Sequence, residues 1–347
     1  MCIVGLLLCI IAGLIPAAIY AWFVNWLDRH EKEPWWLLAL VFLWGAVPAF
    51  ILAVVAQVIL DIPTTWILVE EGLAYEIVGG SVWAPVTEEI AKGLGVILIL
   101  VLARREIDSV LDGIVYGAVA GLGFAFVENI MYFGGALIED GWGAWAFVVL
   151  LRTVPFGLNH AFFTGLTGAG LGAAYLSRKT WVKLTAPLGG LVAGMAFHGI
   201  HNLGASLSGI NCLAVCGSFA FDWGGILMLG VIIALVWRQE KGWMAEQLSG
   251  EVSDEVYQTV TSWRRWRRAR WQVLVHGDVA GWRKLSRLRQ AATELAFKKQ
   301  KLVQRDQDAA VQREVDRYRL ELAELEATRV WDVDEGGSER GYRETQL

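Results

Sequence analysis

Four apolar stretches of the sequence carry carboxylate, imidazole and amide side chains of the kinds that can hydrolyse a bond. A glutamate can take a proton from water, and glutamate and neutral histidine can both bind a metal ion. Placing such a group in lipid costs roughly 3 kcal/mol or more, so its presence in an apolar stretch suggests a function. Together with one lysine, Lys92, the set comprises Glu88, Glu89, Glu128, Asn129, Asn159, His160, His198, His201 and Asn202.

Spacing indicates which of these side chains share a helix face. Glu88 precedes Lys92 by four residues, the favourable order for an ion pair, and Glu89 precedes it by three. Because neighbours on a helix diverge by about 100°, one glutamate can face a site while the other pairs with Lys92. His198 and Asn202, four residues apart, share a face.

The charged residues divide the chain into two unlike parts. Residues 1–237 contain 9 Lys and Arg and 16 Asp and Glu, whereas residues 238–347 contain the other 21 and 19. Soluble domains are about a quarter charged; the first part is far below that fraction and the last part is above it. We therefore predict a transmembrane domain over 1–237 and a soluble tail over 238–347, with disorder from about 332.

Seven stretches are long and apolar enough to cross a bilayer, which takes about 20 helical residues. The loops between them alternate between basic and base-free, and basic loops face the cytoplasm. The sequence thus predicts an all-α bundle of about seven transmembrane helices in the plasma membrane, with the N-terminus outside and a cytoplasmic helical tail. The stretches are 3–26, 35–60, 77–103, 113–138, 145–177, 182–208 and 219–237.

The fifth stretch is over-long and contains Arg152 and Pro155. Proline removes a backbone donor and clashes with the preceding helical turn. We therefore expect this stretch to begin with a short interfacial piece and to bend at Pro155.

The predicted topology places polar groups of several helices at one depth. With a rise of about 1.5 Å per residue, Glu88, Glu89, Glu128 and His198 lie roughly 15–17 Å below the outer ends of their helices. We predict that they meet, with His160, in a wet pocket in the outer half of the bilayer. Either a peptidase or the proton or ion relay of a transporter could use such a pocket, so the transporter is the alternative function.

These residues resemble the motifs of the PrsW family of intramembrane proteases, which is related to the CAAX prenyl endopeptidases. The matching segments occur in family order over about residues 20–205, and the tail lies outside them. They are DRHEKEPW at 28–35, APVTEEIAK at 84–92 (EExxK), GFAFVEN at 123–129 (FxxxEN), Asn159-His160-Ala161 with Thr164-Gly165, and Phe197-His198-Gly199 with Asn202 (HxxxN).

The resemblance implies an enzyme that cleaves a peptide bond in or near the membrane. Its implied partner is a single-span membrane protein such as an anti-sigma factor, which site-1 cleavage would inactivate. In this interpretation Glu88 or Glu89 is the base, His160 holds the water and Glu128 assists it, and His198 and Asn202 donate to the oxyanion. The predicted catalytic residues are Glu88, Glu89, Glu128, His160, His198 and Asn202, with His201 as an extra candidate.

Two chemical schemes fit these residues, and the sequence leaves both open. In one scheme a glutamate activates water without a metal; in the other a bound Zn²⁺ acidifies the water. The sequence contains no HExxH, GxSG or GxGD motif, so other intramembrane protease chemistries fit poorly. The predicted ligands in the metal scheme are Glu89, Glu128, His160 and His198.

Just past the seventh stretch, residues 263–271 read WRRWRRARW, which is five arginines and three tryptophans. On the cytoplasmic side this composition favours contact of Trp263–Trp271 with anionic lipid, and no nucleic acid is expected because the membrane is near. Farther along, apolar residues spaced three and four apart predict amphipathic helices.

Overall fold

The computed structural model describes residues 3–68, 72–304 and 309–327. Within those ranges the regular structure is entirely helical and comprises twelve helices, which confirms the predicted fold class. The helices up to residue 248, in chain order, are α1 (Ile3–Leu27), α2 (Trp35–Ile67), α3 (73–102), α4 (Val110–Glu139), α5 (Trp142–Thr153), α6 (Asn159–Leu176), α7 (Thr180–Ser206) and α8 (Cys212–Leu248).

Four of these helices, α1, α2, α4 and α8, are long and apolar enough to cross a membrane. The chain is therefore a multi-pass membrane protein. The other predicted stretches also coincide with helices, but the number of spans and their orientation stay predictions. The expected break near Pro155 is confirmed, because α5 ends at Thr153 and α6 begins at Asn159.

Helix α4 lies in the middle of the hydrophobic core, with nearly every side chain from Leu111 to Ala125 buried. Its start is fixed by a capping box: Ser109 Oγ accepts a hydrogen bond from the Leu111 amide at 3.0 Å, and the Asp112 carboxylate accepts one from the Ser109 amide at 2.8 Å. This cap sets where the α4 residues stand relative to α6.

Glycines bring α4 and α6 close enough to touch through their backbones. A Cβ on Gly117 would lie 2.4 Å from the Thr164 carbonyl oxygen, and one on Gly121 would lie 2.1 Å from that of His160. Small residues permit such close helix approach in membrane proteins. The position of His160 therefore depends on Gly121.

Two π-helical turns interrupt the helices that flank the centre. One, Gly45–Ala49, lies in α2 around Pro48; the other, Gly79–Trp83, lies in α3 directly before the turn that carries the two glutamates. A π-helical turn leaves carbonyl groups free for other donors and is often found at functional sites.

The short acidic loop between α1 and α2 is largely buried. Asp28 and Glu33 are 2% and 6% exposed, and the Tyr116 hydroxyl donates to the Glu33 carboxylate. Burial, followed by the nearby Asp112 carboxylate, raises the pKa of both Asp28 and Glu33 well above the usual range. This loop is therefore packed against the start of α4.

The described residues form two compact units. The first comprises the residues up to Glu240 together with residues 301–304, which end a later helix. The second contains the helices α9 (Asp254–Thr261), α10 (Trp263–Val275), most of α11 (Val279–Gln304) and α12 (Ala309–Ala327). The predicted domain boundary at 237/238 falls inside α8, and the disorder predicted from about 332 lies outside the described residues.

The second unit has a core of its own, built from the apolar positions of α11 and α12, including Leu288, Leu295 and Val315. Glu251 joins its elements: its carboxylate accepts hydrogen bonds from Arg319 at 2.7 and 2.9 Å and from Lys299 at 2.8 Å. These two cations lower the pKa of Glu251 to about 2.

The α4–α6 contact can be tested with Gly121→Ala. We expect the added methyl group to force α4 away from the His160 carbonyl and to lower the stability of the protein by about 1–3 kcal/mol, as overpacking does. Thermal unfolding in detergent measures the effect. Gly135→Ala, on the same helix but with no atom within 4 Å of the new Cβ, is the control. Equal melting temperatures for the two variants would contradict the proposed close packing.

Candidate active site

Three metal-binding side chains meet between α3, α6 and α7. Donor atoms of Glu88, His160 and His198 all lie within 4.8 Å of one another, and the three residues are 6%, 8% and 1% exposed. Within residues 3–68, 72–304 and 309–327, this is the one cluster of three or more His, Cys, Asp or Glu side chains so close together.

Lys92 lies beside this group and pairs mainly with Glu89. Its Nζ is 2.6 Å from Glu89 Oε1 and 3.5 Å from Glu88 Oε2, and both Lys92 and Glu89 are fully buried. The ammonium also lies 4.4 Å from the centre of the Phe124 ring, a cation–π contact. Of the two adjacent glutamates, Glu89 is therefore the closer partner of Lys92.

Glu88 keeps one carboxylate oxygen available. Gln57 Nε2 donates to Glu88 Oε1 at 3.4 Å, whereas Oε2 accepts no hydrogen bond from any residue that the structure describes. A buried carboxylate oxygen without a donor is costly unless something else binds it. This oxygen is thus suited to bind a metal ion or a water molecule.

Glu89 orients the ring of His198. His198 Nδ1 donates to Glu89 Oε1 at 3.0 Å, and the Thr164 hydroxyl donates to Glu89 Oε2 at 2.8 Å. A proton held on Nδ1 leaves Nε2 as the nitrogen with a lone pair, and Nε2 lies 3.8 Å from Glu88 Oε2. The ring also stacks on Phe163 with a centroid distance of 4.9 Å.

Glu128 orients His160 in the same way. His160 Nε2 donates to Glu128 Oε2 at 2.9 Å, and His160 Nδ1 accepts from Lys92 Nζ at 3.2 Å. Arg152 donates to the Glu128 carboxylate and, through Nε, to Asn129 Oδ1 at 2.6 Å. Each imidazole of the group therefore has its own carboxylate partner, as metal-binding histidines commonly do.

Asn202 and His201 form hydrogen bonds with groups outside this cluster. Asn202 Nδ2 donates to the Gly80 carbonyl at 2.7 Å, which ties α7 to the π-helical turn of α3. His201 Nδ1 donates to Asp222 Oδ2 at 2.8 Å, and Asn159 Nδ2 donates to the same oxygen at 2.8 Å. His201 thus belongs to a second polar group, which holds α8 against the start of α6.

Asp222 is the residue that sequence reasoning missed. It is fully buried, and its neighbour Trp223 donates through Nε1 to the Pro155 carbonyl at 3.0 Å. Its signal in the sequence is an acid near the start of the apolar stretch 219–237. Thr164 stands in a segment that resembles the family, but the sequence assigned it no role. Gln57 gave no signal, because amides are common on helices.

A cavity of about 150 Å³ lies beside His160. Its polar lining includes Arg152, Asn159 and His201, and its apolar lining includes Phe156. The cavity is large enough for several water molecules or a small side chain. It gives space next to the His160 imidazole.

The donor set fits a zinc ion. Two imidazoles and one carboxylate are a known catalytic zinc set, and three protein ligands leave a fourth position for water. Glu88 Oε2, which accepts no hydrogen bond from a described residue and has Lys92 Nζ at 3.5 Å, is in keeping with such a ligand. Of the ligands predicted from the sequence, His160 and His198 belong to this group. Glu89 and Glu128 instead bond to the imidazoles, and their role as ligands stays a prediction.

The sequence profile of one protein family, described as "PrsW family intramembrane metalloprotease", matches residues 33–237, more than half of the chain. That range contains every residue of the two polar groups. The chain belongs to the PrsW family. The resemblance and the enzyme class predicted from the sequence are thereby confirmed.

Three curated relatives of this PrsW-family chain carry the name "Protease PrsW". The protein of Bacillus subtilis strain 168 is 29% identical over 200 residues, which are 55% of this chain and 79% of the relative. That of Oceanobacillus iheyensis is 29% identical over 193 residues, 55% and 80% of the two chains. That of Geobacillus kaustophilus is 28% identical over 169 residues, 48% and 67%. No solved structure matches the chain.

The second polar group can be tested with Asp222→Ala. Removing the carboxylate takes away the acceptor that the Asn159 amide and His201 share, so we expect a loss of about 1–3 kcal/mol in stability. Thermal unfolding in detergent measures it, with Gly224→Ala, whose new Cβ meets nothing within 4 Å, as the control on the same helix. An unchanged melting temperature in Asp222→Ala would mean that this group does not hold α8 to α6.

Proposed function

We propose that this chain is an endopeptidase that hydrolyses a peptide bond of a membrane-bound protein, with Glu88, His160 and His198 at the reacting centre. The observation that carries the proposal is the convergence of these three buried side chains within a few ångströms in a member of a protease family. Neither a structural ion pair nor an isolated buried histidine requires such a cluster.

Glu88, His160 and His198 would hold the metal ion. When bound, a zinc ion supplies a strongly polarising charge that lowers the pKa of a bound water to about 7. Glu89 keeps the His198 proton on Nδ1, so that ring presents Nε2. Glu128 keeps the His160 proton on Nε2, so His160 would bind the ion through Nδ1, in place of the hydrogen bond that Nδ1 accepts from Lys92 Nζ. Lys92 balances the charge of the carboxylates around it.

Helices enclose the reacting centre and separate it from bulk water. The cavity beside His160 offers the space where a substrate chain can lie. A substrate that reaches a centre among apolar helices must itself have a segment in the membrane. We therefore propose a single-span membrane protein, such as an anti-sigma factor cleaved at site 1, as the substrate.

The proposal includes seven spans with the N-terminus outside, the tail in the cytoplasm and the reacting centre in the outer half of the plasma membrane. The charge pattern of the loops supports this orientation. In it, the α7–α8 loop faces the outside.

The orientation can be tested through Cys212 and Cys216, which are exposed free cysteines at the start of α8. We expect a membrane-impermeant maleimide to label them on reduced, intact cells, because the loop faces outward. Comparison with a variant carrying Cys212→Ser and Cys216→Ser isolates their signal. Labelling of these two cysteines only after the cells are opened would reverse the topology.

Three variants test the chemistry: Glu88→Gln, Glu89→Gln and His198→Ala. We expect each to insert normally and to cleave a single-span anti-sigma-factor reporter roughly a hundredfold more slowly, because each removes a proposed metal ligand or the carboxylate that orients one. Immunoblotting of the co-expressed reporter measures cleavage. Glu139→Gln, at the exposed end of α4, is the control. Wild-type cleavage by both Glu88→Gln and His198→Ala would make the assignment wrong.

The metal scheme has its own test with the purified wild-type protein and the same reporter in detergent. We expect a strong chelator to abolish cleavage, because it removes the ion from Glu88, His160 and His198, and added Zn²⁺ to restore it. Full activity after chelation, with no zinc detectable by mass spectrometry, would instead favour water activated by a glutamate alone.

A further inference from the structure

Helix α10 has two unlike faces, and the inward one packs within the second unit. Trp266 and Ala269 are buried and pack against Leu285. The Arg270 guanidinium lies 4.8 Å from the centre of the Trp266 ring and 4.6 Å from that of Trp282. One tryptophan and one arginine of the basic segment are therefore occupied inside the protein.

The opposite face of α10 is exposed along its whole length. Its positions follow the helical spacing of three and four residues, so they form one stripe. The basic half comes first and the apolar half follows, with Trp271 at 66%, Leu274 at 50% and Val275 at 63% exposure. We call Arg264, Arg267, Arg268, Trp271, Leu274 and Val275 the α10 stripe.

The sequence predicts that all of Trp263–Trp271 contacts anionic lipid, but only part of this segment faces outward. Trp263, at the edge of the stripe, has the Arg289 guanidinium 5.0 Å from its ring centre, and Trp266 faces inward. Trp263 is nevertheless 51% exposed, whereas the other large exposed apolar side chains of α10, Trp271, Leu274 and Val275, lie at its C-terminal end. They continue past the turn at Gly277 to Val279, which is 55% exposed.

We propose that the α10 stripe binds the surface of an anionic bilayer, with the arginines on lipid phosphates and Trp271, Leu274 and Val275 among the upper acyl chains. Helix α10 contains five arginines and no acidic residue, so its charge complements an anionic surface. Stable attachment to a membrane surface takes both a basic and an apolar contribution, and the stripe supplies both. The covalent link to α8, a candidate membrane span, keeps the stripe near a bilayer.

Nucleic acid would satisfy the arginines but not the apolar half of the stripe. Phosphate contacts account for most non-specific nucleic-acid binding, and they need no exposed leucine or valine. The exposed apolar residues therefore favour lipid, and nucleic acid becomes an outcome of the test.

The test uses the full chain in nanodiscs, with its native cysteines replaced by alanine and a single Leu274→Cys carrying the environment-sensitive dye NBD. We expect NBD emission to shift to shorter wavelength, and doxyl-labelled lipids to quench it, in discs of mixed phosphatidylcholine and phosphatidylglycerol. In discs of phosphatidylcholine alone the shift should be much smaller. NBD at Leu320→Cys, 69% exposed on α12, should report water in both kinds of disc.

A charge-matched pair of variants isolates the arginines. Arg267→Gln with Arg268→Gln should abolish the dependence of the Leu274 signal on phosphatidylglycerol. Arg313→Gln with Arg317→Gln removes the same charge from exposed positions of α12 and should leave the dependence intact.

Two results would overturn the proposal. One is a Leu274 label that stays in water in both kinds of disc. The other is a label that responds to added duplex RNA or DNA but not to the lipid composition, which would assign the stripe to nucleic acid.

Discussion

The buried ion pair between Lys92 and Glu89 is the interaction on which the rest of the site depends. Removing an ammonium and a carboxylate from water costs several kcal/mol per ion, and only close pairing and further hydrogen bonds offset it. Here Nζ lies 2.6 Å from Glu89, 3.2 Å from His160 and 4.4 Å from the centre of the Phe124 ring. Loss of Lys92 would leave Glu89 without a cation among apolar helices, and loss of the Glu89 charge would leave Lys92 with only the more distant Glu88, at 3.5 Å.

This pair links residues that are far apart in the sequence. Glu89 accepts from His198 of α7 and from Thr164 of α6, and Lys92 donates to His160 of α6. A single turn of α3 therefore fixes both imidazoles. Glu128 of α4 is a further carboxylate of the network: it accepts a hydrogen bond from His160 and another from Arg152. Close backbone contact of α4 with α6 keeps these groups within bonding distance.

The sequence predicts the members of this network well, because lipid makes acids and imidazoles in apolar helices rare. It also predicts the break at Pro155, since proline cannot continue the hydrogen bonding of α5. Helical periodicity alone could not decide whether Glu88 or Glu89 pairs with Lys92, because both spacings allow an ion pair. That choice comes from tertiary contacts, since Thr164 and His198 stand on the Glu89 side.

The sequence could not predict the partners of Asp222 or the different environments of the tryptophans in the tail. The partnership of Asp222 with Asn159 and His201 joins three helices and depends on how they pack, which spacing within one helix does not report. In the tail, composition alone gave three equivalent tryptophans, whereas the packing of Leu285 against Trp266 shows that they are not equivalent.

X-ray absorption at the zinc edge of the purified, zinc-loaded protein tests most directly whether Glu88 and the two imidazoles form the reacting centre. The account predicts a first shell with two imidazole nitrogens and oxygen donors. It also predicts that Glu88→Gln loses zinc or alters this shell, while Glu139→Gln, at the exposed end of α4, keeps it. A spectrum and zinc content unchanged by Glu88→Gln, or a first shell without imidazole, would contradict it.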